Sequence, residues 1–446
     1  MVGTDTSTLA AAVDKYSHCV AAKIEAELID ELLQLRGSLM SSFVWLDYSE
    51  HERRKMLDIV DLFREQDTRD ELGIGSVRDT FADLFFPGTS TIMTRARYFL
   101  IVPWTYQRLE RQHIRSEQIG ERARRAEIEL IEAIERSDDR DRNIGKVART
   151  ALKRLPSSVY WQGLGVWGIR TFRGSQAQYS RSLDQHYAQL TRRGRRVLER
   201  DVEHDDLVAP NWHAGLLSPP SDFPGQCSLR LTRREAEYLA ERIRLSPTSS
   251  SSLLAELAAQ HRPSGEVNFV WQHAYAAEFP ANLREVVDHA RNFSEVMLGA
   301  ALLYNLVLAE QAQRDDGVKR YRQRFAEWAQ SIAERSRTFS AWKRERFWEL
   351  VRAANPRISS PTREFIDTWW DLTLAGDTER LRDNQTARML IRQRERRLKR
   401  NLARIDNPRA QELWNGDSGS AQLDFRWLIS QRLLADIFAG LESSDA

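Results

Sequence analysis

The chain has 446 residues, of which 41% are hydrophobic and 29% are charged, a composition typical of folded globular proteins. Lys plus Arg (66) nearly balance Asp plus Glu (64), so a polyanion could be bound only through local clusters of positive charge. The two cysteines, Cys19 and Cys227, lack a CxxC spacing, which argues against a disulfide framework and indicates a reducing, cytoplasmic location. We expect no secretory signal and no membrane contact, because the longest apolar block, 296–309, contains Asn305 and suits a buried helix.

Residues 1–140 are predicted to form an N-terminal helical domain. Apolar residues recur at helical spacing within 8–36. Ser49 and Glu52 form a capping-box pattern at the start of a second helix. Residues 108–136 predict a long charged helix whose mixed charges indicate a solvated face.

The stretch "TRDELGIGSVRDTFADLFFPGTSTIMTRARYFLIVPW" (68–104) is a candidate functional site at residues 70–97. Its glycines could turn tightly and present backbone N–H groups at the start of a helix, which is a natural site for an anion. It contains no P-loop, and its G-x-G lacks a third glycine and a preceding strand. The candidate phosphate-binding set is Gly73, Gly75, Ser76, Arg95 and Arg97.

The alternative interpretation of residues 70–97 is a structural corner, and we favour it. Ser76 would then cap a helix with an acidic first turn. The two arginines beside an apolar block would need carboxylate partners. The expected partners lie close in sequence and are Asp70, Glu71, Asp79 and Asp83.

Residues 141–205 are predicted to form a helix-turn-helix-like subdomain with a basic tail. A short helix over 146–155 ends at Pro156, a compact apolar element follows, and a third helix begins near Ser175. The tail either touches phosphates or is a solvated helix end. Its arginines are Arg192, Arg193, Arg195 and Arg196.

The remaining chain divides into a connector and a C-terminal helical domain. Residues 206–264 are rich in Pro and Ser and hold one helix, which begins with the capping box of Thr232 and Glu235. Residues 265–446 carry several apolar stripes at helical spacing. No strand pattern is sustained enough to build a sheet, so the fold is predicted to be mainly α.

The segment "ARMLIRQRERRLKRNLARI" (387–405) is the main candidate surface for nucleic acid. Arginines recur at every fourth residue, and apolar residues at 391, 398, 402 and 405 predict the opposite, docked face of one helix. Such a ridge could track a phosphate backbone. A solvated face, an acidic partner helix and a membrane surface are the alternatives. The candidate nucleic-acid-binding residues here are Arg388, Arg392, Arg396, Lys399, Arg400 and Arg404.

No catalytic or metal-binding signature is complete. His273 with Glu278, and Asp288 with His289, lack the H-E-x-x-H spacing that places two imidazoles on one helix face. The run "EHDD" (203–206) reads as a charged linker. We therefore expect neither a metal nor a cofactor, and we assign no catalytic residue.

Several segments resemble a family of uncharacterised bacterial proteins known only as a domain of unknown function. The resemblance covers most of the chain and implies no activity, so it supplies no catalytic residue. It suggests bacterial genome-defence neighbourhoods, in which a helicase or a DNA-modifying enzyme would be the partner. The segments are "SSFVWLDYSEHERRKMLDIVDLFREQDTRDELGIGSVRD", "FPGTSTIMTRARYFLIVPW", "VYWQGLGVWGIR", "LTRREAEYLAERI" and "GAALLYNLVLAE".

Three functions remain open from the sequence. The first, which we favour, is a non-enzymatic subunit that binds nucleic acid, most simply DNA, in an antiviral defence complex. The second is an enzyme or nucleotide-binding protein with its site at residues 70–97. The third is a scaffold whose arginine ridge binds an acidic protein.

Overall fold

The structure is a computed structural model that describes residues 70–146, 152, 154–199, 210–261, 263 and 265–444. The two helices predicted before residue 64 lie outside these residues. Residues Leu62–Ala446 form one compact unit.

The described residues confirm a mainly α fold. They contain no β-strand, and their only bridge is an isolated antiparallel pair between Arg170 and Trp212. In the first half the helices are α1 Gly75–Phe85, α2 Tyr98–Arg111, α3 Ile119–Glu135, α4 Pro156–Val166, α5 Gln176–Glu199, α6 Arg233–Leu245 and α7 Leu253–Gln260. In the second half they are α8 Ala281–Gln311, α9 Asp315–Glu334, α10 Ser336–Ala341, α11 Arg344–Ala354, α12 Ser360–Leu374, α13 Gln385–Lys399, α14 Pro408–Glu412 and α15 Trp427–Glu442. Short 3₁₀ helices span Val270–Gln272, Ala276–Glu278, Thr378–Asp383 and Arg400–Leu402.

Helix α8 is the central helix of the second half. It packs against α9, α12 and α13. Among the described helices it alone has the length and composition of a membrane span, but 83% of its most apolar window is buried inside the protein. Burial of that kind is typical of the core helix of a soluble protein, because a membrane span would expose its apolar side chains to lipid.

Helix α2 is the corresponding buried helix of the first half. Every residue from Tyr98 to Tyr106 is buried, which explains why this stretch is almost continuously apolar in sequence. Its Phe99 ring stacks on Trp167, with ring centroids 3.8 Å apart. Helices α3 and α4 pack against it.

The predicted domain boundaries at 141, 206 and 265 all lie inside the compact unit. Arg97 forms an ion pair with Glu235 at 2.7 Å, and Arg95 forms one with Asp436 at 3.0 Å. Helix α6, which was assigned to a connector, packs against α15 near the end of the chain. A single hydrophobic core joins these segments, with buried members from Leu72 to Phe438.

The predicted helix-turn-helix-like arrangement is present only in part. Of the helix expected over 146–155, the described residues 146, 152, 154 and 155 are not helical. The next two elements are present as α4, with Pro156 as its first residue, and α5. Only Ser158 and Gln162 of α4 are exposed. Helix α4 is therefore a core helix with too little free surface to enter a DNA groove.

Candidate nucleic-acid interface

The corner at residues 70–76 does bind an anion, and the anion is a side chain of the protein. The Asp70 carboxylate accepts hydrogen bonds from the backbone N–H groups of Ile74 (2.9 Å) and Gly75 (2.5 Å) at the start of α1. Gly73 makes the turn possible with a φ of +64°. Ser76 lies inside α1 and does not cap it, because Ile74 is the N-cap residue. An external phosphate would have to displace Asp70 from these donors.

Arg95 and Arg97 have carboxylate partners, but the expectation that these lie close in sequence is wrong. Arg95 is held by Asp139 and Asp436, each at 3.0 Å. Arg97 donates to Glu235 at 2.7 Å and to Ser228 at 3.0 Å. Burial lowers the pKa of Arg95, but its hydrogen bonds to the two aspartates outweigh that effect and raise the pKa. Both guanidinium groups are therefore tied to carboxylates that join distant parts of the chain.

The helix predicted over 387–405 ends earlier than expected. Helix α13 stops at Lys399, and Arg400 has a φ of +50°, which turns the chain out of the helix. The reversal is held by Glu395, whose carboxylate accepts the backbone N–H groups of Arg404 (2.9 Å) and Ile405 (3.0 Å). The predicted run of evenly spaced arginines from Arg388 to Arg404, which would be about 24 Å long on one helix, is therefore not formed.

The docked face of α13 also differs from the predicted apolar face. The buried residues of the helix are Ala387, Ile391, Arg394 and Glu395. Leu398 is 42% exposed and Leu402 is 56% exposed, so these two leucines are not part of the core. Two charged side chains thus take positions that helical periodicity would give to apolar ones.

A buried ionic cluster accounts for part of the arginine ridge. Lys399 contacts the carboxylates of Glu71 and of Glu395, the latter at 2.9 Å. Arg404 donates to Glu71 at 3.0 Å. The Tyr304 hydroxyl donates to Glu395 at 2.6 Å, and burial raises the pKa of this tyrosine. Lys399 and Arg404 therefore point into the protein, where they balance two buried carboxylates.

Arg394 links α13 to the corner at residues 70–76. Its guanidinium donates to the carbonyl oxygens of Leu72 (2.8 Å) and Gly73 (2.9 Å), and to that of Pro361 (3.1 Å). It also donates to the Thr362 hydroxyl at 2.9 Å. The two most conspicuous segments of the sequence are thus packed against each other, and much of their charge is used to hold them together.

What remains in solvent is a smaller basic surface, which we call the outer face. It consists of Arg392, Arg396, Arg397 and Arg400, all of which are exposed. Asp406 is its carboxylate neighbour, at 2.6 Å from Arg392 and 3.9 Å from Arg396. Neither Arg397 nor Arg400 has a side-chain ion pair with any described residue. Four arginines against one carboxylate leave an excess of three positive charges.

Arg388 lies beside the outer face and is half-buried. It donates to Glu310 at 2.6 Å, and Arg322 of α9 donates to the same carboxylate at 2.8 Å. Burial raises the pKa of Glu310, but its bonds to these arginines outweigh the effect and lower it. Arg388 is therefore neutralised in part and contributes less to the external field than the outer face does.

The second predicted basic segment lies at the end of α5. The helix anchors itself in the core through Tyr179 and Leu183 in its first turns. Leu190 is 43% exposed and Arg192 is exposed, so α5 leaves the core before the basic run. The backbone at Arg193, Arg195 and Arg196 continues the helix. The backbone of the tail is thus helical, and it follows the exposed residues Leu190 and Arg192.

A comparison of the sequence with known families gives a match over most of the chain. The chain belongs to DUF6361, a family of unknown function. The family model matches residues 40–440. No curated protein and no solved structure matches the chain. Membership in this family confirms the resemblance noted above, and it implies no activity.

Within this DUF6361 chain, the histidines considered as metal ligands have other neighbours. The Trp342 indole donates to Nδ1 of His289 at 2.7 Å, and burial lowers the pKa of that imidazole. His273 is buried against Phe279 and Trp427. No group of three or more His, Cys, Asp or Glu side chains that could hold a metal occurs in the described part of the chain. The run at 203–206 lies outside that part.

Sequence reasoning missed the residues that decide which arginines face outward. Glu395 is an acid within a strongly basic segment of the sequence, yet it is fully buried and holds the turn after α13. The contacts of Glu71 with Lys399 and Arg404 were not predicted. The contacts of Arg394 with the corner at residues 70–76 were not predicted either. The one available signal was that an acid inside a strongly basic helix is a natural internal partner for its neighbours.

Proposed function

We propose that this protein is a non-enzymatic subunit that binds nucleic acid through the outer face of α13. The observation that carries the proposal is the excess of three positive charges on Arg392, Arg396, Arg397 and Arg400, which remains after every buried arginine of the segment has found its partner. Guanidinium groups are well suited to phosphate, because they offer several N–H donors in one plane.

The arrangement favours contacts with a phosphate backbone over reading of bases. Arg392 and Arg396 are separated by one helical turn, which is a rise of about 6 Å. Three of the four arginines lie on an element that the core fixes through Ala387 and Ile391. Contacts of this kind supply affinity and orientation without sequence information. We therefore expect largely sequence-independent binding, with the helical basic tail of α5 as a second contact.

The nucleotide-binding alternative at residues 70–97 has less support. Asp70 occupies the backbone donors of the corner, and both arginines of the candidate set are committed to carboxylates. The resemblance to proteins of genome-defence neighbourhoods favours DNA as the ligand, in a complex with a helicase or a DNA-modifying enzyme.

The salt dependence of DNA binding tests the proposal. For duplex DNA, log affinity falls with log salt by about 0.9 for each phosphate neutralised. The variant Arg392→Gln/Arg396→Gln/Arg397→Gln keeps helix propensity, since Gln is nearly as good a helix former as Arg. If all three arginines contact phosphate, the slope should become shallower by about 2.7. Arg400 is left unchanged so that all three substitutions lie on α13, which ends at Lys399.

A matched control has the same loss of charge elsewhere on the surface. Arg125, Arg233 and Arg346 are exposed, lie on three other helices and pair only with exposed carboxylates. Their triple Gln variant should keep the slope of the unmodified protein. An outer-face variant that is folded by circular dichroism and retains the full slope would refute the proposal. Loss of binding to polyglutamate without any change on DNA would favour the scaffold function.

A further inference from the structure

Exposed apolar side chains are concentrated beside the outer face of α13. Nine large hydrophobic side chains are clearly exposed among the described residues, and three of them are Met389, Leu398 and Leu402. Leu398 lies close to Gly73 of the corner, so Met389 and Leu402 are the two that remain open to another molecule. A single exposed leucine is ordinary on a protein surface, whereas a group of exposed apolar side chains marks a surface that meets a partner.

The two open apolar side chains lie at opposite ends of the run of arginines. Met389 shares a face of α13 with Arg392 and Arg396, because it precedes them by three and seven residues. Leu402 is the last residue of the 3₁₀ turn that begins at Arg400. Each of the two apolar side chains is 56% exposed. The outer face therefore lies between two exposed apolar contacts.

The separation of these two contacts distinguishes between classes of partner. About 15 Å of α13 lies between Met389 and the end of the helix at Lys399. A docked partner helix needs a continuous apolar groove, and a helix that lies on a membrane needs a continuous apolar face. The residues of α13 that would form such a face, Ala387 and Ile391, are buried in the core. Arginines between two separate apolar contacts instead match a chain in which charged and apolar groups alternate.

We propose that the outer face takes single-stranded nucleic acid, with phosphates on its arginines and the faces of unstacked bases against Met389 and Leu402. This assignment rests on the proposed function and names the kind of nucleic acid. A single strand can turn its bases onto a protein surface, where they pack on side chains and on guanidinium planes. A duplex keeps its base faces stacked inside, so it offers the arginines only phosphates and the edges of bases in its grooves.

Salt titrations of the full chain separate the two kinds of contact. The probes are a fluorescent oligothymidylate of about 20 nucleotides, longer than typical single-strand sites of roughly 4–16 nucleotides, and a duplex of the same length. Phosphate contacts set the slope of log affinity against log salt, and the affinity extrapolated to about 1 M salt reports the contacts with bases. There the single strand should bind about three- to tenfold more tightly than the duplex, which is roughly 0.7–1.4 kcal/mol. An oligouridylate of the same length distinguishes RNA from DNA as the source of the strand.

The variant Met389→Gln/Leu402→Gln removes apolar surface and leaves the charge unchanged. It should lower the affinity for the single strand at about 1 M salt by the same factor, while its slope and its affinity for the duplex stay as they are. The matched control is Leu245→Gln/Leu428→Gln, because these leucines are 57% and 44% exposed and lie on α6 and α15. The control should leave all affinities unchanged, and circular dichroism verifies that both variants are folded.

The proposal is overturned if the duplex binds at about 1 M salt at least as tightly as the single strand. It is equally overturned if Met389→Gln/Leu402→Gln binds the single strand as the unmodified protein does. Binding to vesicles of phosphatidylserine and phosphatidylcholine that this variant loses, without any binding of oligothymidylate, would overturn it in favour of a lipid surface. The proposed function fails by a different result, in which Arg392→Gln/Arg396→Gln/Arg397→Gln keeps the full slope on both probes.

Discussion

Replacing Glu127 with Gln should remove a pH dependence from the stability of this protein. Glu127 lies on α3 and is 2% exposed. One carboxylate oxygen accepts the Ser157 backbone N–H at 2.7 Å, and the other is buried without a hydrogen-bond partner among the described residues. The space beside it holds only about 10 Å³, which is at the lower limit for one water molecule. The ionised carboxylate is therefore poorly solvated, and burial raises the pKa of Glu127 to about 7.

The sign and size of the effect follow from this pKa. The folded protein binds the proton of Glu127 more tightly than the unfolded chain, whose carboxyl has its ordinary pKa of 4.5. Stability must therefore fall as pH rises from about 4.5 to about 7, and change no further above that. The full loss is about 3 kcal/mol, at roughly 1.4 kcal/mol for each pH unit, and about 2.5 kcal/mol of it falls between about pH 5 and pH 8.

The assay compares thermal unfolding of the unmodified protein and Glu127→Gln at these two pH values. At roughly 2.1 cal/mol/K per residue, a unit of 385 residues has an unfolding entropy of about 0.8 kcal/mol/K. The variant should therefore gain about 3 °C relative to the unmodified protein on going from acid to alkaline pH. Glu129→Gln, an exposed position on the same helix, should gain nothing. Parallel pH profiles for the unmodified protein and Glu127→Gln would show that this carboxylate does not titrate as argued.

Three further changes probe how the corner is held. Arg97→Met should cost about 3–5 kcal/mol of unfolding free energy, because it leaves the Glu235 carboxylate buried without a cation. Adding Glu235→Gln, which removes the charge and keeps an acceptor for the Thr232 N–H, should recover part of that loss in urea unfolding. Gly73→Ala should lower stability by more than about 1 kcal/mol, since φ is +64° and a Cβ would come within 2.5 Å of the Arg394 guanidinium. Its control is Gly120→Ala, which has open space around it and should be neutral or stabilising by about 0.5–1 kcal/mol. Arg394→Leu should lower the free energy of unfolding by several kcal/mol, because four acceptors lose a charged donor. Hydrogen exchange or denaturant unfolding measures the loss.

Local patterns in the sequence predicted those features that local interactions decide. The capping box of Thr232 and Glu235 is present with both of its hydrogen bonds, and it starts α6 where expected. Trp348, Trp369 and Trp427 lie in the segment 265–446, for which apolar stripes at helical spacing were predicted, and all three are buried. Helix periodicity and capping depend on residues within one or two turns, so one sequence contains the information that fixes them.

Long-range pairing of charges could not be predicted in the same way. Arg95 was expected to pair with an acid near it in sequence, yet Asp436 lies 341 positions away. Nothing in the local pattern distinguishes that carboxylate from the many exposed ones. A buried ion pair is chosen by the geometry of the folded core, because each charge must find a partner before it can leave water.

The arginine ridge shows why this difference matters for function. Periodicity alone assigns Arg404 and Lys399 to the same solvent face as Arg396, and it assigns the interior to leucines. Glu71 and Glu395 reverse part of that assignment, because two buried carboxylates require cations and the nearest ones are those at the end of α13. The arginines that remain outside are then the ones that no internal carboxylate requires. Asp406 neutralises one of these positive charges, and the excess on the other arginines has no carboxylate partner among the described residues. That excess is the strongest physical reason to look for an external polyanion there.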